Sequence, residues 1–247
     1  MLPILHIGPL AIQLPGLLLL LGLWLGLSLA EKHAPSRGVR ANQIYSLTGL
    51  AIVAGLLGAR LAYIIRYFSI FTQTPASAFS LNPELLDPTG ALLGVGFVGW
   101  MFIHRNKLNP WSLLDTLAPT LAVLAIAIAL SNLSSGKGFG APTQMPWAIF
   151  LWGQWRHPTQ IYELIAAGIS LGIFWPSRQH FQRAIPGIYG LSLLAVTAGW
   201  RLFLEAFRAD SVTVTGGFRL AQLTAWVILA LSLWIITQRS GHLTSSE

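Results

Sequence analysis

The sequence predicts an all-α, polytopic membrane protein of about seven transmembrane helices in one domain covering residues 1–247. Three observations predict it. Of 247 residues, 54% are hydrophobic and only 9% are charged, whereas an ordinary soluble domain carries about 25% charged residues. Long uncharged runs recur, the first being Leu10 to Ala30, and about 20 apolar residues suffice to cross ~30 Å of hydrocarbon as a helix. The loop cations also gather on alternate connections. This composition excludes a soluble globular enzyme, a disordered tail and a secreted scaffold. The chain has no cysteine, which excludes disulfides, thiolate metal sites and a cysteine nucleophile. The net charge of +7 reads as basic loops facing an anionic leaflet, not as nucleic-acid binding.

Taken in order, the expected spans are 10–30, 46–67, 88–103, 111–133, 158–176, 186–207 and 218–237. The first charge is Glu31, so the basic n-region of a signal peptide is missing and the first run is expected to be a span. The third span is the weakest: 16 residues reach about 24 Å as a helix, so it is short, tilted or extended at one end. Lys32, Arg37 and Arg40, then Arg105 and Lys107, then Arg178 and Arg183, and finally Arg239 all fall on one side. The positive-inside rule makes that side cytoplasmic, with the N-terminus outside and the C-terminus inside. On the other side, segment 68–87 is nearly neutral, with Glu84 and Asp87. Segment 134–157 carries Trp147, Trp152 and Trp155, and is expected to lie on or dip into the outer interface.

Seven cations lie in spans or on the outer side, where that rule does not ask for them: Arg60, Arg66, Lys137, Arg156, Arg201, Arg208 and Arg219. An ionisable residue inside a membrane is a functional hypothesis by default. Arg201, Glu205 and Arg208 follow at i, i+4 and i+7, on one helix face. Two arginines against one glutamate leave a positive charge over, and guanidinium matches phosphate by paired hydrogen bonds. The cluster therefore predicts a lipid phosphate site, with Arg201 and Glu205 at its centre. On a second helix Gln160 and Glu163 share a face, Pro158 suits the first helical position, and Arg156 and His157 stand at the helix mouth. On the second span, Arg60, Tyr63 and Tyr67 align at i, i+3 and i+7, which aromatic packing of a snorkelling arginine also explains. No His/Asp/Glu cluster has metal spacing, so no metal or other cofactor is expected. Ser134 to Gly140 lacks the spacing of a phosphate loop. Asp115 reads as a cap or hinge at the start of the fourth span.

In order along the chain, these residues resemble the prolipoprotein diacylglyceryl transferases. Gly8-Pro9-Leu10-Ala11-Ile12 resembles the family's opening, and Gly58-Ala-Arg-Leu-Ala-Tyr63 resembles its G-x-R-L-G-Y segment. Gly90-Ala-Leu-Leu-Gly94 resembles the end of its H-G-G-L-x-G motif, and Asp115 with Ala118-Pro119 its D-x-x-A-P. Arg156-His-Pro-Thr-Gln-Ile-Tyr-Glu163 is similar to R-H-P-x-Q-L-Y-E, and Arg201-Leu-Phe-Leu-Glu205-Ala-Phe-Arg208 to R-F-x-x-E-x-x-R. The resemblance implies a multi-pass enzyme of the bacterial plasma membrane. It would move diacylglyceryl from phosphatidylglycerol to the lipobox cysteine of a preprolipoprotein and release glycerol phosphate. Arginines would hold the phosphate and a base would form the thiolate. Carried onto this chain, it implies catalytic roles for Arg201, Glu205 and His157, and substrate binding by Arg60, Asn132, Gly140, Arg156, Gln160, Glu163 and Arg208.

The chain departs from the family pattern at defined positions. Thr89 stands for the motif histidine. In the fourth-span signature, approximately G-R-x-G-N-F-x-N-G-E-x-x-G, Asn132, Gly136 and Gly140 are kept. Ala129 replaces the arginine, Ser135 the second asparagine and Lys137 the glutamate, and Pro15 replaces a first-span tyrosine. Two readings follow. One is an active transferase with a rebuilt site, in which Lys137 or Arg60 replaces the lost arginine and Asp87, His157 or Glu163 takes the proton. The other is a non-catalytic homologue that keeps the pocket and binds phospholipid or a lipoprotein precursor.

Overall fold

The computed structural model describes residues 4–7, 10–73, 77, 85–176, 185–214 and 216–244. Gly8, Pro9, Glu84, Arg178 and Arg183, which entered the readings above, lie outside the described residues. Among the described residues the chain forms two short antiparallel hairpins and eight α-helices: β1 (Ile4–Ile7), β2 (Leu10–Gln13), α1 (Leu14–His33), α2 (Ala41–Arg66), α3 (Phe68–Gln73), α4 (Pro88–Asn106), α5 (Pro110–Ser135), β3 (Ile149–Leu151), β4 (Gln154–Arg156), α6 (Thr159–Ile173), α7 (Ile188–Leu204) and α8 (Leu220–Thr244). Each expected span contains a helix. Among the described residues, α1, α2, α5, α7 and α8 are long and apolar enough to cross a membrane, and α6 is a shorter apolar helix. The chain is a helical membrane protein.

Three expectations are corrected in detail, and one of the alternatives left open for the third span is met. Residues 10–13 are not helical: β2 pairs with β1, Ile4 facing Gln13 and Ile7 facing Leu10. Pro15 lies in the first turn of α1, where a missing N–H costs nothing, so the helix starts there. The third span extends at its C-terminal end to Asn106, closed by Lys107 in the left-handed conformation. Pro158 is the N-cap of α6, not its first helical residue. The helical turn of α7 ends at Leu204, and Glu205–Phe207 tighten into a 3-10 turn.

The structure divides into two compact units, residues 39–110 and the remainder, Met1–Gly38 with Trp111–Glu247. The smaller unit is held by its glycines. A Cβ on Gly58 would run into the Gly90 carbonyl, one on Gly90 into the Gly58 carbonyl and Ala62, and one on Gly94 into the Ala54 carbonyl. α2 and α4 thus meet backbone to backbone, the close approach that small residues permit between membrane helices. Asp87 caps α4, accepting from the amides of Thr89 (2.8 Å) and Gly90 (3.4 Å), and pairs with Arg66 at 2.7 Å.

The larger unit is built on α5. Gly22 and Gly26 bring α1 against Ala127 and Thr120, and the Thr120 hydroxyl donates to the Gly26 carbonyl (3.0 Å). Asp115 is buried inside α5 and caps another helix: it accepts from the amides of Gly187 and Gly190, both at 2.9 Å, where α7 begins, and pairs with Arg37 at 3.1 Å. It is therefore a cap, as expected, but of α7 rather than of its own helix. Ala118, Ala122, Phe174, Tyr189 and Leu193 form the adjoining apolar core.

Candidate functional site

The chemistry of the larger unit gathers where α6 meets the end of α7. Sequence spacing puts Arg201 and Glu205 one turn apart, and the structure joins them at 2.9 Å. Glu163 then arrives from α6, which the sequence pattern did not reveal. Its Oε1 takes Arg201 at 2.9 Å and Arg208 at 2.8 Å. Arg208 also pairs with Asp210 at 2.9 Å, and Glu205 lies 3.8 Å from the Arg208 Nε. Arg219, at the foot of α8, donates to the backbone carbonyls of Glu205 and Arg208. The positive charge expected to be left over is thus absent: Glu163 and Asp210 supply the carboxylates that the single helix face lacked. Burial works against the charge of Arg208, yet Glu163 first, with Asp210 and Glu205, holds its pKa above the ordinary arginine value. Glu205 is 1% exposed and Arg201 38%, so Arg201 is the member of the cluster most open to a ligand.

A glycine loop wraps this cluster. Gly136 and Gly138 take positive φ (75° and 70°), which an L side chain adopts only at a cost. A Cβ on Gly138 would lie 3.2–3.4 Å from the Arg208 guanidinium and the Asn132 amide. Asn132, Gly138 and Arg208 therefore converge. Gly140 sits so close to His157 that a Cβ there would meet its backbone and side chain. The strand-like run 139–143 bonds on one side to Phe207 and Ala209 and on the other to Trp155 and His157. The Thr159 hydroxyl and the Gln160 amide, both from the first turn of α6, hold the loop carbonyls of Gly138 (2.6 Å) and Lys137 (3.0 Å). Gln160 is fully buried, and its Oε1 has no hydrogen-bond partner among the described residues. Lys137 itself is exposed.

The remaining expected residues fall in three places. The Arg156 guanidinium is engaged by the carbonyls of Leu151 and Gly140 and by Gln154, and stacks 5.0 Å over Phe139, so it binds the loop together. His157 contacts the Tyr162 hydroxyl at 3.3 Å, which in turn accepts from Trp147 Nε1 at 2.7 Å. Arg60 belongs to the smaller unit, where it donates to the carbonyls of Leu85 and Ser77 and lies 5.6 Å over Phe71. Thr89 occupies the capped first turn of α4, and Ala129 is buried in α5. Asp87, a proposed proton acceptor, has its carboxyl held below the ordinary aspartate range, chiefly by the Thr89 amide and also by Arg66, so it is a weak base.

Two cavities flank the α6–α7 seam. One of about 190 Å³ lies among α5, α6 and α7, with Glu163 and Arg201 in its wall beside Ala125, Ile128, Ala167 and Thr197. The other, about 400 Å³, is lined by Trp147, His157, Tyr162, Ile165, Phe203 and Phe207. Trp200, Ala166 and Leu204 line both. Each is apolar and each has its own polar end: arginine and carboxylate in the first, imidazole and phenol in the second. Asp210 and Thr159 were missed in the sequence, and Asp210, two residues past Arg208, left a local signal; Arg219 stood out there only as one of seven misplaced cations. Among the described residues no three His, Asp or Glu side chains gather to hold a metal ion.

The family described as prolipoprotein diacylglyceryl transferase matches residues 3–238 of the chain. Relatives named phosphatidylglycerol–prolipoprotein diacylglyceryl transferase include those of Gloeobacter violaceus, 32% identical over 97% of this chain and 94% of that one, and Nitratidesulfovibrio vulgaris, 29% identical over 95% and 92%. The protein of the same name from Synechococcus elongatus is 28% identical over 92% of this chain and 83% of its own.

Proposed function

The chain belongs to the prolipoprotein diacylglyceryl transferase family, and from that premise we propose that it transfers diacylglyceryl from phosphatidylglycerol to the lipobox cysteine of a preprolipoprotein. The observation that carries this reading is the joining of Arg201 to an apolar cavity between three helices. A lipid phosphate needs a guanidinium, and its acyl chains need an apolar, laterally reachable space. In this reading the whole chain acts as one integral domain of the bacterial plasma membrane, N-terminus outside, with the arginine cluster toward the outer leaflet.

The chemistry runs as one displacement. A base takes the thiol proton. The sulfur attacks the glyceryl carbon bearing the phosphate oxygen; a C–S bond forms as the C–O bond breaks, and the electron pair leaves on that oxygen as glycerol phosphate. Arg201, with Arg208 behind it, stabilises the charge growing there. Of the three groups weighed as base, Asp87 is paired with Arg66 and Glu163 with two arginines. Among the described residues His157 contacts the Tyr162 hydroxyl rather than a carboxylate or arginine, and it borders the larger apolar cavity. It is our choice for the proton, in place of the histidine that Thr89 replaces. Asn132, Gly140, Arg156 and Gln160 then shape the loop that wraps the arginines, and Glu205 fixes Arg201.

The test combines purified protein, phosphatidylglycerol vesicles and a lipobox peptide, with the thioether-modified peptide read by mass spectrometry. Product from the native protein and none from Arg201→Ala is expected. No product from a folded native protein that still retains phosphatidylglycerol overturns the transferase reading and leaves a lipid-binding homologue.

A further inference from the structure

The two carboxylates of the arginine cluster are not equivalent. Glu205 is 1% exposed, sits one turn from Arg201 on the same segment, and has its carbonyl held by Arg219. It is fixed. Glu163 comes from a different helix, lines the smaller cavity, and places a single oxygen between two guanidinium groups at 2.9 and 2.8 Å. One anionic oxygen shared by two arginines is the contact that a phosphate oxygen makes. Each arginine also has a second partner of its own, Glu205 for Arg201 and Asp210 for Arg208. Withdrawal of Glu163 therefore leaves neither arginine unpaired, and opens one N–H of each toward the vacated position.

We propose that Glu163 is a displaceable stand-in for the lipid phosphate, occupying the anion position in the empty site and yielding it to substrate; this rests on the reading of Arg201 and Arg208 as phosphate ligands. The charge count fits. Arg201, Arg208 and Arg219 carry three positive charges, and Glu205 and Asp210 carry two negative ones. Without Glu163 the cluster is +1, which matches the single negative charge of a phosphodiester. With Glu163 in place the cluster is neutral. Phosphatidylglycerol has acyl chains that fill the adjoining apolar cavity while its phosphate displaces the carboxylate. The glycerol phosphate product has no such chains and carries up to two charges into a site that is +1. Glu163 returns and the product leaves. Glu163 thereby discriminates a lipid phosphodiester from free phosphate and from a phosphomonoester.

The experiment measures binding of phosphatidylglycerol in nanodiscs, and competition by glycerol 1-phosphate and by inorganic phosphate, for the native protein, Glu163→Gln, Glu163→Asp and Arg201→Ala. Glu163→Gln is expected to hold phosphatidylglycerol about tenfold tighter and to become sensitive to inhibition by glycerol 1-phosphate, with kcat falling more than KM. Glu163→Asp keeps the charge on a shorter arm that reaches less well between the arginines, so it is expected to tighten binding by a smaller factor and to keep the protein folded if the glutamine variant does not. Unchanged or weaker lipid binding in either folded variant overturns the proposal and makes Glu163 a prop for the arginines. Inorganic phosphate competing in the native protein as well as phosphatidylglycerol binds would also overturn it. Retained lipid in Arg201→Ala instead overturns the underlying headgroup reading.

Discussion

The helix pairs α2/α4 and α6/α7 answer one physical problem in opposite ways. Between two apolar helices in lipid there is little hydrophobic force, so association needs close packing or polar contacts. α2 and α4 use packing. Gly58, Gly90 and Gly94 let the backbones touch, and the Arg66–Asp87 pair lies at the end of the seam. α6 and α7 use charge. Glu163 reaches Arg201 and Arg208 across the seam, and cavities remain on either side of it. The glycine seam leaves no room where Gly58, Gly90 and Gly94 meet the facing backbone. The charged seam leaves room, and Arg201 and Glu163 stand in the wall of one of its cavities. Tight packing makes scaffold and looser, charged packing makes a site.

The sharpest way to break this contrast is to remove a group from the charged seam and ask whether stability moves. His157→Gln is expected to lower kcat about 10²- to 10⁴-fold, the usual contribution of proton transfer, with the thermal unfolding temperature in detergent unchanged. Activity within a few-fold of native would assign the proton elsewhere. Arg201→Ala is expected to cost about 10²- to 10³-fold in kcat/KM, as for removal of one donor to a developing oxyanion. The glycine seam should behave inversely. Gly90→Leu forces a side chain into the Gly58 carbonyl and Ala62, and overpacking of this kind costs about 1–3 kcal/mol. Its signature is a lower unfolding temperature, while the protein that remains folded keeps its KM; a normal unfolding temperature would mean that the seam is not tight.

Gly138→Ala tests the border between the two regimes. It places a Cβ against the Arg208 guanidinium at a φ of +70°, a conformation that costs an L residue about 1–2 kcal/mol. A modest loss of stability together with weaker phosphatidylglycerol binding is expected, since loop and arginine move as one. The smallest effect concerns Asp87. Its folded pKa lies below the ordinary aspartate value of 3.8, so its contribution is complete at neutral pH and is lost as pH falls through the depressed value. Acid unfolding should therefore begin at a slightly higher pH in Asp87→Asn, measured by circular dichroism, and an identical acid limb would show that the cap contributes nothing.

Much of this was legible in the chain because it is local. Each expected span contains a helix, since uncharged runs carry their own signal. Arg201, Glu205 and Arg208 were found together because they share one segment. The hairpin at 4–13 was hidden, because Leu10 to Gln13 is as apolar as the helix that follows, and apolar runs do not declare their period over four residues. The charge balance of the site was also hidden. Glu163 lies 38 positions from Arg201, and nothing in the local pattern says that α6 turns it toward that partner. His157, Tyr162 and Trp147 likewise become a chain of contacts only after the loop folds back along α6. What was missed is tertiary, and it is the part that decides which arginine is open to a ligand.

The division of the chain into units has a consequence for biogenesis. Residues 39–110 form one uninterrupted stretch, so the ribosome delivers everything the glycine seam needs in a single run, and domains fold roughly in the order in which they are made. The other unit is split. α1 precedes its neighbour α5 by some 75 residues, and Arg219 arrives later still, beside α8. The first helix thus enters the bilayer without its partner and waits there while a complete helical pair is made after it. The arginine cluster closes only once Arg219 has been added, so a nascent chain that stops short of it lacks the donor to the Glu205 and Arg208 carbonyls.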